Sequence, residues 1–330
     1  MNNYLLTALV IFASAMLLTL LIERMLIPLL TKRAAQPIYA EGPSWHLSKS
    51  GTPTMGGVAF LIAISLSVGL ACIFLLSSSG SFATGLGLLI ALIYAIGNSL
   101  IGIFDDVMKL KKNKNAGLSP MQKLILQSLL AILFLMARKF YFDDSTIIDF
   151  SFLSIDLGIF YYPFALVILL GTVNCANLTD GIDGLASSVS VIIGFVFLII
   201  GAITSLLEIG IISSALIGGA MGFLIFNRHP AKIFMGDTGS LFLGALAVAQ
   251  AFILRNPIII ILIGIVYVIE GVSVILQVFY FKLTKKRLFK MAPMHHHLEK
   301  CGFSENKICL SAVLVTLLFS LLSFAIFRYK

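Results

Sequence analysis

Short clusters of carboxylates, lysines, glycines and histidines interrupt an otherwise apolar sequence, and they are where its chemistry must lie. In GIFDDVMK, Asp105 and Asp106 end a run that opens at Leu86, and Lys109 follows four residues after the first acid and three after the second. If a helix continues through the pair, the two side chains point about 100° apart. They then cannot face one partner together, while each can reach Lys109 in the favoured acid-before-base order. A charge at membrane depth costs about 2.5–3.5 kcal/mol, and less near the interface. The pair therefore either ends a helix in solvent or serves a cation or a proton transfer. Lys111, Lys112, Lys114 and Lys123 follow in the same loop.

NLTDGIDGLA spaces Asn177, Asp180 and Asp183 three residues apart. In a helix they share a face. Gly181 and Gly184 favour a turn instead, where the backbone can approach a ligand beside a helix start whose amides suit phosphate. A simple Asp cap is the alternative. MGDTGS offers Asp237, Thr238 and Ser240, each a good helix N-cap. Taken with the other acids, Asp237 instead belongs to an oxygen-only donor set of the kind Mg²⁺ accepts. His295, His296 and His297 sit in APMHHHLEKCG with Cys301 nearby. Consecutive residues do not converge on one tetrahedral ion, and zinc spacings are absent. Hydrogen bonding to phosphate suits the three better. Lys282, Lys285, Lys286, Arg287 and Lys290 precede them and are also explained by an inside-positive bias or an anionic lipid surface. Glu23 and Glu270 are isolated acids in apolar surroundings, suited to proton relay or, more simply, to pairing or snorkelling.

The elements that must position these groups are membrane helices. The chain is 59% hydrophobic and 12% charged, with mean hydropathy +1.05, whereas soluble domains carry about 25% charged residues. Ten apolar segments are predicted, over residues 4–28, 54–76, 82–104, 120–138, 159–175, 184–205, 208–226, 240–255, 257–281 and 307–328, each near the length of a bilayer span. The expected fold is an all-α polytopic membrane protein, one integral-membrane domain over residues 1–330. Arg24, Lys32 and Arg33 follow the first run instead of preceding it, unlike a signal peptide. Cys72, Cys175, Cys301 and Cys309 form no C-x-x-C pair, and no disulfide is expected. The connections 29–53, 105–123, 176–183, 227–239 and 282–306, with Lys307, hold 17 of the 23 basic residues. That bias puts these five loops in the cytoplasm and both termini outside. Alternation over residues 140–158 predicts a short outer hairpin whose acids, Asp143, Asp144, Asp149 and Asp156, form a solvated surface.

GTPTMGG, FDDVMK, NLTDGIDGLA, FNRHPAKIFMGDTGS and APMHHHLEKCG occur in an order and in loop positions that resemble the polyprenyl-phosphate N-acetylhexosamine-1-phosphate transferases. The resemblance covers essentially the whole chain, and the uninterrupted HHH is similar to the muramoyl-pentapeptide branch and not to the N-acetylglucosamine relatives. It implies transfer of phospho-N-acetylmuramoyl-pentapeptide from a UDP conjugate to undecaprenyl phosphate, giving lipid I and UMP. It also implies Mg²⁺, a homodimer in the bacterial plasma membrane, contact with membrane lipid and no nucleic-acid partner. Carried onto matching positions, Asp237 is the leading Mg²⁺ ligand, and Asp105 positions or deprotonates the lipid phosphate with Asp106 beside it. Asn177, Asp180 and Asp183 line the nucleotide–pyrophosphate pocket, with Gly181 admitting uracil. Lys49, Thr54, Asn227 and Phe234 form the nucleoside pocket, Lys109 and Lys123 meet phosphates, and the three histidines face the sugar-phosphate side.

A phosphate monoester has a second pKa near 6, so the nucleophile is largely ionised at pH 7. That favours one-step attack over an aspartyl-phosphate intermediate. An ion-coupled transporter would place its ionisable groups near the bilayer midplane on broken helices. Here the acids gather at one face, with Glu270 as the main exception. A non-catalytic scaffold leaves the five polar loops without purpose.

Overall fold

In hydrocarbon every backbone amide and carbonyl must be satisfied within the segment, which leaves the helix as the form available to these apolar runs. The computed structural model describes residues 2–31, 49, 51–78, 81–112, 117–142 and 145–327. Lys32, Arg33, Lys114, Asp143, Asp144, Arg328 and Lys330 lie outside the described residues, as does the side chain of Lys112. The first four helices are α1 (Asn2–Thr31), α2 (Gly57–Leu76), α3 (Phe82–Lys112) and α4 (Pro120–Phe142). A hairpin of β1 (Ile147–Asp149) and β2 (Ser154–Asp156) follows. Then come α5 (Tyr161–Thr179), α6 (Leu185–Thr204), α7 (Leu207–Asn227) and α8 (Gly236–Ile253). The chain closes with α9 (Ile260–Ile263), α10 (Ile265–Thr284), α11 (Met294–Lys300) and α12 (Glu305–Ile326). Ten of these helices, all but α9 and α11, are long and apolar enough to cross a membrane, as expected from the sequence. The chain is a multi-pass, all-α membrane protein.

The hairpin is antiparallel, with Ile147 opposite Asp156 and Asp149 opposite Ser154. Asp156 is exposed, and the Thr146 hydroxyl and Gly158 amide hold its carboxyl below the usual range. Asn256 donates through Nδ2 to the Asp149 carbonyl at 2.7 Å, tying the hairpin to the bundle.

α8 is the central helix. In its most apolar stretch 89% of residues are buried, against 22% for α1 and for α12. Its small residues permit this, because close backbone approach is how membrane helices gain packing energy. A Cβ on Gly57 of α2 would collide with the backbone of Gly239, and one on Gly244 would lie 2.8 Å from the Ala176 Cβ of α5. Polar cross-links pin the same helix. Ser213 of α7 donates to Gln250 Oε1 at 2.5 Å, and Arg138 of α4 donates to the Phe252 carbonyl at 2.9 Å, near the end of α8.

Three boundaries differ from the sequence expectation. α3 runs to Lys112, so Asp105 and Asp106 lie within a helix and not at its end. α8 starts at Gly236, which places Asp237 in its first turn. The run expected over 257–281 is broken: a 3-10 turn at Pro257–Ile259 leads into α9, and Gly264 interrupts the path before α10. Pro257 stands at the first position of that run, where a proline is tolerated, so it is the non-helical backbone at Gly264 (φ −100°, ψ 28°) that separates α9 from the spanning α10.

The contact between α3 and α8 is tight enough to test. A Cβ on Gly102 would collide with the Asp237 carbonyl and lie 2.6 Å from the Thr238 nitrogen. Gly102→Ala should lower stability by about 1–3 kcal/mol, read as a lower melting temperature of the protein in detergent. An unchanged transition would show that the two helices are not held at this spacing.

Candidate active site

The site begins with the N-terminus of α8, whose first amides have no partner within the helix. The residue at its cap position, Met235, supplies no side-chain bond. Asp106 of α3 does so from across the interface. Its Oδ1 accepts the Asp237 amide at 3.1 Å, and its Oδ2 accepts the Thr238 amide at 2.9 Å and the Thr238 hydroxyl at 2.7 Å. Gly236 makes room, since a Cβ there would lie 2.7 Å from Asp106 Oδ2, and its φ of +74° suits glycine. The sequence offers Asp237, Thr238 and Ser240 as caps, but the capping carboxylate comes from another helix. Asp237 is left free to face outward.

Asp105, one residue earlier, points to a different set of partners. Its Oδ1 accepts the Leu118 amide at 2.7 Å, while Oδ2 lies 2.6 Å from Lys109 Nζ and 2.9 Å from Lys123 Nζ. Both lysines also reach Asp237, Lys109 at 3.3 Å to Oδ1 and Lys123 through Oδ2. Asn177, near the end of α5, donates to Asp237 Oδ1 at 3.1 Å and to the Ser240 hydroxyl at 2.8 Å. Two ammonium groups are thus shared between two carboxylates contributed by α3 and α8. Among the described residues, Asp105, Asp106 and Asp237 form one of two groups able to hold a metal ion, with one oxygen from each within 4.8 Å of the others.

The α5–α6 turn borders this cluster. Burial pushes the Asp180 carboxyl well above the usual carboxylate range, and the negative charges of Asp237, Asp106 and Asp183 raise it further. Gly181 lies against His295, whose Nε2 would collide with any Cβ there. Asp183 belongs to a second group with His229 and Glu305. Its Oδ1 lies 2.7 Å from Lys49 Nζ, and its Oδ2 lies 3.0 Å from both His229 Nδ1 and the Ala231 amide. Lys49 also reaches Glu305 at 2.8 Å.

The expected nucleoside residues divide into two kinds. Thr54 is buried beside Gly236. The half-buried Phe234 is fixed by backbone bonds, its amide donating to the Pro53 carbonyl and its carbonyl accepting from Gly56. Asn227 is buried and its amide is committed inside the protein. Oδ1 accepts from the Gly184 amide and the Ser187 hydroxyl, and Nδ2 donates to the Ile233 carbonyl.

The three histidines diverge. His295 is buried, with Nδ1 3.0 Å from Glu270 Oε2. His296 Nδ1 lies 2.7 Å from Glu299, and His297 Nδ1 accepts the Lys290 amide at 3.1 Å. Neither metal-capable group found among the described residues includes them. Sequence reasoning missed His229 and Glu305, and it left Glu270 open between relay and pairing. His229 stands inside a quoted motif, but Glu305 carries no local signal because its partners lie in distant loops.

Residues 86–255 match the model of glycosyl transferase family 4, and residues 49–61 match phospho-N-acetylmuramoyl-pentapeptide-transferase signature 1. A phospho-N-acetylmuramoyl-pentapeptide-transferase of Caldanaerobacter subterraneus is 43% identical over 318 residues, covering 96% of this chain and 98% of the relative. The chain belongs to the phospho-N-acetylmuramoyl-pentapeptide-transferase family. Transferases of the same name from Clostridium botulinum and Halalkalibacterium halodurans are 45% and 42% identical, covering 90% and 93% of both chains respectively. This transferase therefore carries its signature segment on the stretch from Lys49 through Thr54 to Leu61, while the larger family match runs from α3 to just beyond α8.

The cap predicts a distinct phenotype for Asp106. Asp106→Ala leaves two amides and a hydroxyl buried without a partner, at roughly 1–3 kcal/mol for each such loss, so the melting temperature should fall together with activity. A variant that melts like the parent would separate Asp106 from the α8 terminus.

Proposed function

We propose that the chain transfers phospho-N-acetylmuramoyl-pentapeptide from its UDP conjugate to undecaprenyl phosphate, forming lipid I and releasing UMP, at the cytoplasmic face of a bacterial plasma membrane. The observation that carries this reading is the sharing of Lys109 and Lys123 between Asp105 and Asp237, on the side where Asp180 and the Asp183–Lys49 pair also gather. Both reacting groups are anionic phosphates, so transfer needs fixed positive charge and alignment. The two lysines supply the charge, and the carboxylates hold their ammonium groups in place.

The bonds at Asp105 weigh on the choice of mechanism. One oxygen is taken by the Leu118 amide and the other lies within 2.9 Å of two ammonium groups, so neither is free to approach a phosphorus. The lipid phosphate is largely ionised at pH 7 without help. The reading is therefore one-step attack: a lipid phosphate oxygen bonds to the sugar-linked phosphorus, the bond from that phosphorus to the bridging oxygen breaks, and UMP leaves with the electron pair. Asp105 acts by positioning the lysines.

The residues fit Mg²⁺. The donor set is entirely carboxylate, as hard cations prefer, with one oxygen of each of Asp105, Asp106 and Asp237 within 4.8 Å of the others. Asp237 would hold the ion with Asp105 and Asp106 in reach, and the bound ion would supply neutralisation of pyrophosphate charge. Asn177 orients Asp237, and Asp106 fixes the turn that carries it. Lys49, Thr54, Asp183 and Phe234 surround the nucleoside, and the basic loops face the cytoplasm. The family resemblance extends the reading to a homodimer.

Purified protein with Mg²⁺, undecaprenyl phosphate and each UDP-sugar in turn should release UMP with the muramoyl-pentapeptide donor. No UMP from that donor would reject the reading, and turnover with UDP-N-acetylglucosamine alone would select the N-acetylglucosamine-1-phosphate reaction. Asp237→Asn should abolish Mg²⁺-dependent turnover while leaving folded protein. Near-normal activity would remove Asp237 as the ligand.

A further inference from the structure

Glu270 is the single acid of α10 and is buried. Its carboxylate accepts the His295 backbone amide at 3.2 Å through each oxygen, and its Oε2 lies 3.0 Å from His295 Nδ1. Among the described residues no other group pairs with that carboxylate. The imidazole is 1% exposed, and its Nε2 is buried without a hydrogen-bond partner. That edge of the ring lies against Gly181, in the turn that carries Asp180 and Asp183.

A buried carboxylate costs stability unless it is paired, and here the pairing fixes the ring at two points, a side-chain nitrogen and a backbone amide. Buried polar atoms without partners are few in native structures. This one is aimed at the turn beside the carboxylate cluster. We propose that Glu270 is a positioning residue for the transfer: it holds His295 so that Nε2 is presented at the Asp180–Gly181 turn, where it meets a phosphate oxygen of the nucleotide-sugar. The carboxylate engages Nδ1, which leaves Nε2 as the ring atom for that contact. His296 and His297, held by Glu299 and by the Lys290 amide, do not share this role.

The proposal rests on the reaction proposed above. Glu270→Gln keeps the shape and an acceptor for the backbone amide but removes the charge facing Nδ1. UMP release should show kcat lower by roughly 10- to 100-fold, KM for the nucleotide-sugar within about twofold, and an unchanged melting temperature. His295→Ala should lose as much, and the double variant should be no slower than His295→Ala alone, because Glu270 acts through that ring. Parental kcat in Glu270→Gln overturns the proposal, as do losses that multiply in the double variant. If Glu270→Gln yields no folded protein, His295→Ala decides: parental kcat overturns the proposal, and a kcat loss at constant KM supports it. Parental turnover measured alongside separates the two claims. Its absence rejects the reaction, whereas turnover matched by Glu270→Gln rejects the role of Glu270 alone.

Discussion

The bond set between Asp106 and the first turn of α8 is the constraint on which the rest of the site depends. A helix start presents partial positive charge and unpaired amides, and a nearly buried carboxylate needs both. Three hydrogen bonds satisfy Asp106 and fix α3 against α8 at that height. The consequences follow from helix geometry. Asp105 is rotated about 100° from its neighbour, so it must look away from α8's terminus, toward Lys109 on its own helix and Lys123 on α4. Asp237, relieved of capping, turns to the same lysines. Arg138 gives α8 a matching tie near its other end, so the central helix is clamped at both of its ends by side chains from its neighbours.

With α8 fixed, the charges near it do not cancel. Among the described residues, Asp105, Asp106, Asp180 and Asp237 are drawn together, with Lys109 and Lys123 between Asp105 and Asp237. Burial pushes the Asp180 carboxyl upward, and the neighbouring carboxylates add to that. A stable fold alone would not retain such a cluster, since paired apolar residues are often as stabilising as buried ions. The proposed transfer, which needs a cation and two anionic phosphates at one place, would give it a use.

Much of this was legible in the sequence. Apolar run length gave the ten spans, and the i, i+4 spacing of Asp105 and Lys109 gave their ion pair. The separation of the two adjacent acids onto different partners also followed from helical pitch. What periodicity cannot read is which helix end meets which loop. Asp106 as a cap for α8 depends on a partner 131 residues away, and the Asp183 amide reaches Glu305 across 122. The broken entry to α10 was hidden for a different reason: Pro257 marks the start of the run, but Gly264 lies within a stretch apolar enough to pass as one span.

The histidine triplet shows how far identical neighbours can differ once they are placed. Three consecutive residues on α11 fan out by about 100° each, so at most one can face a given point. The choice falls to whichever ring meets a fixed anion on the inner side. Glu270 lies on α10, behind α11, and it captures both the ring and the amide of His295. His296 turns to Glu299 one turn along its own helix, and His297 turns to the backbone of the preceding loop and toward Cys301. A metal would need these nitrogens to converge, and the helix forbids that. The triplet therefore works as one inward-facing imidazole flanked by two that brace the segment, and it is the acid on α10 that decides which of the three faces inward.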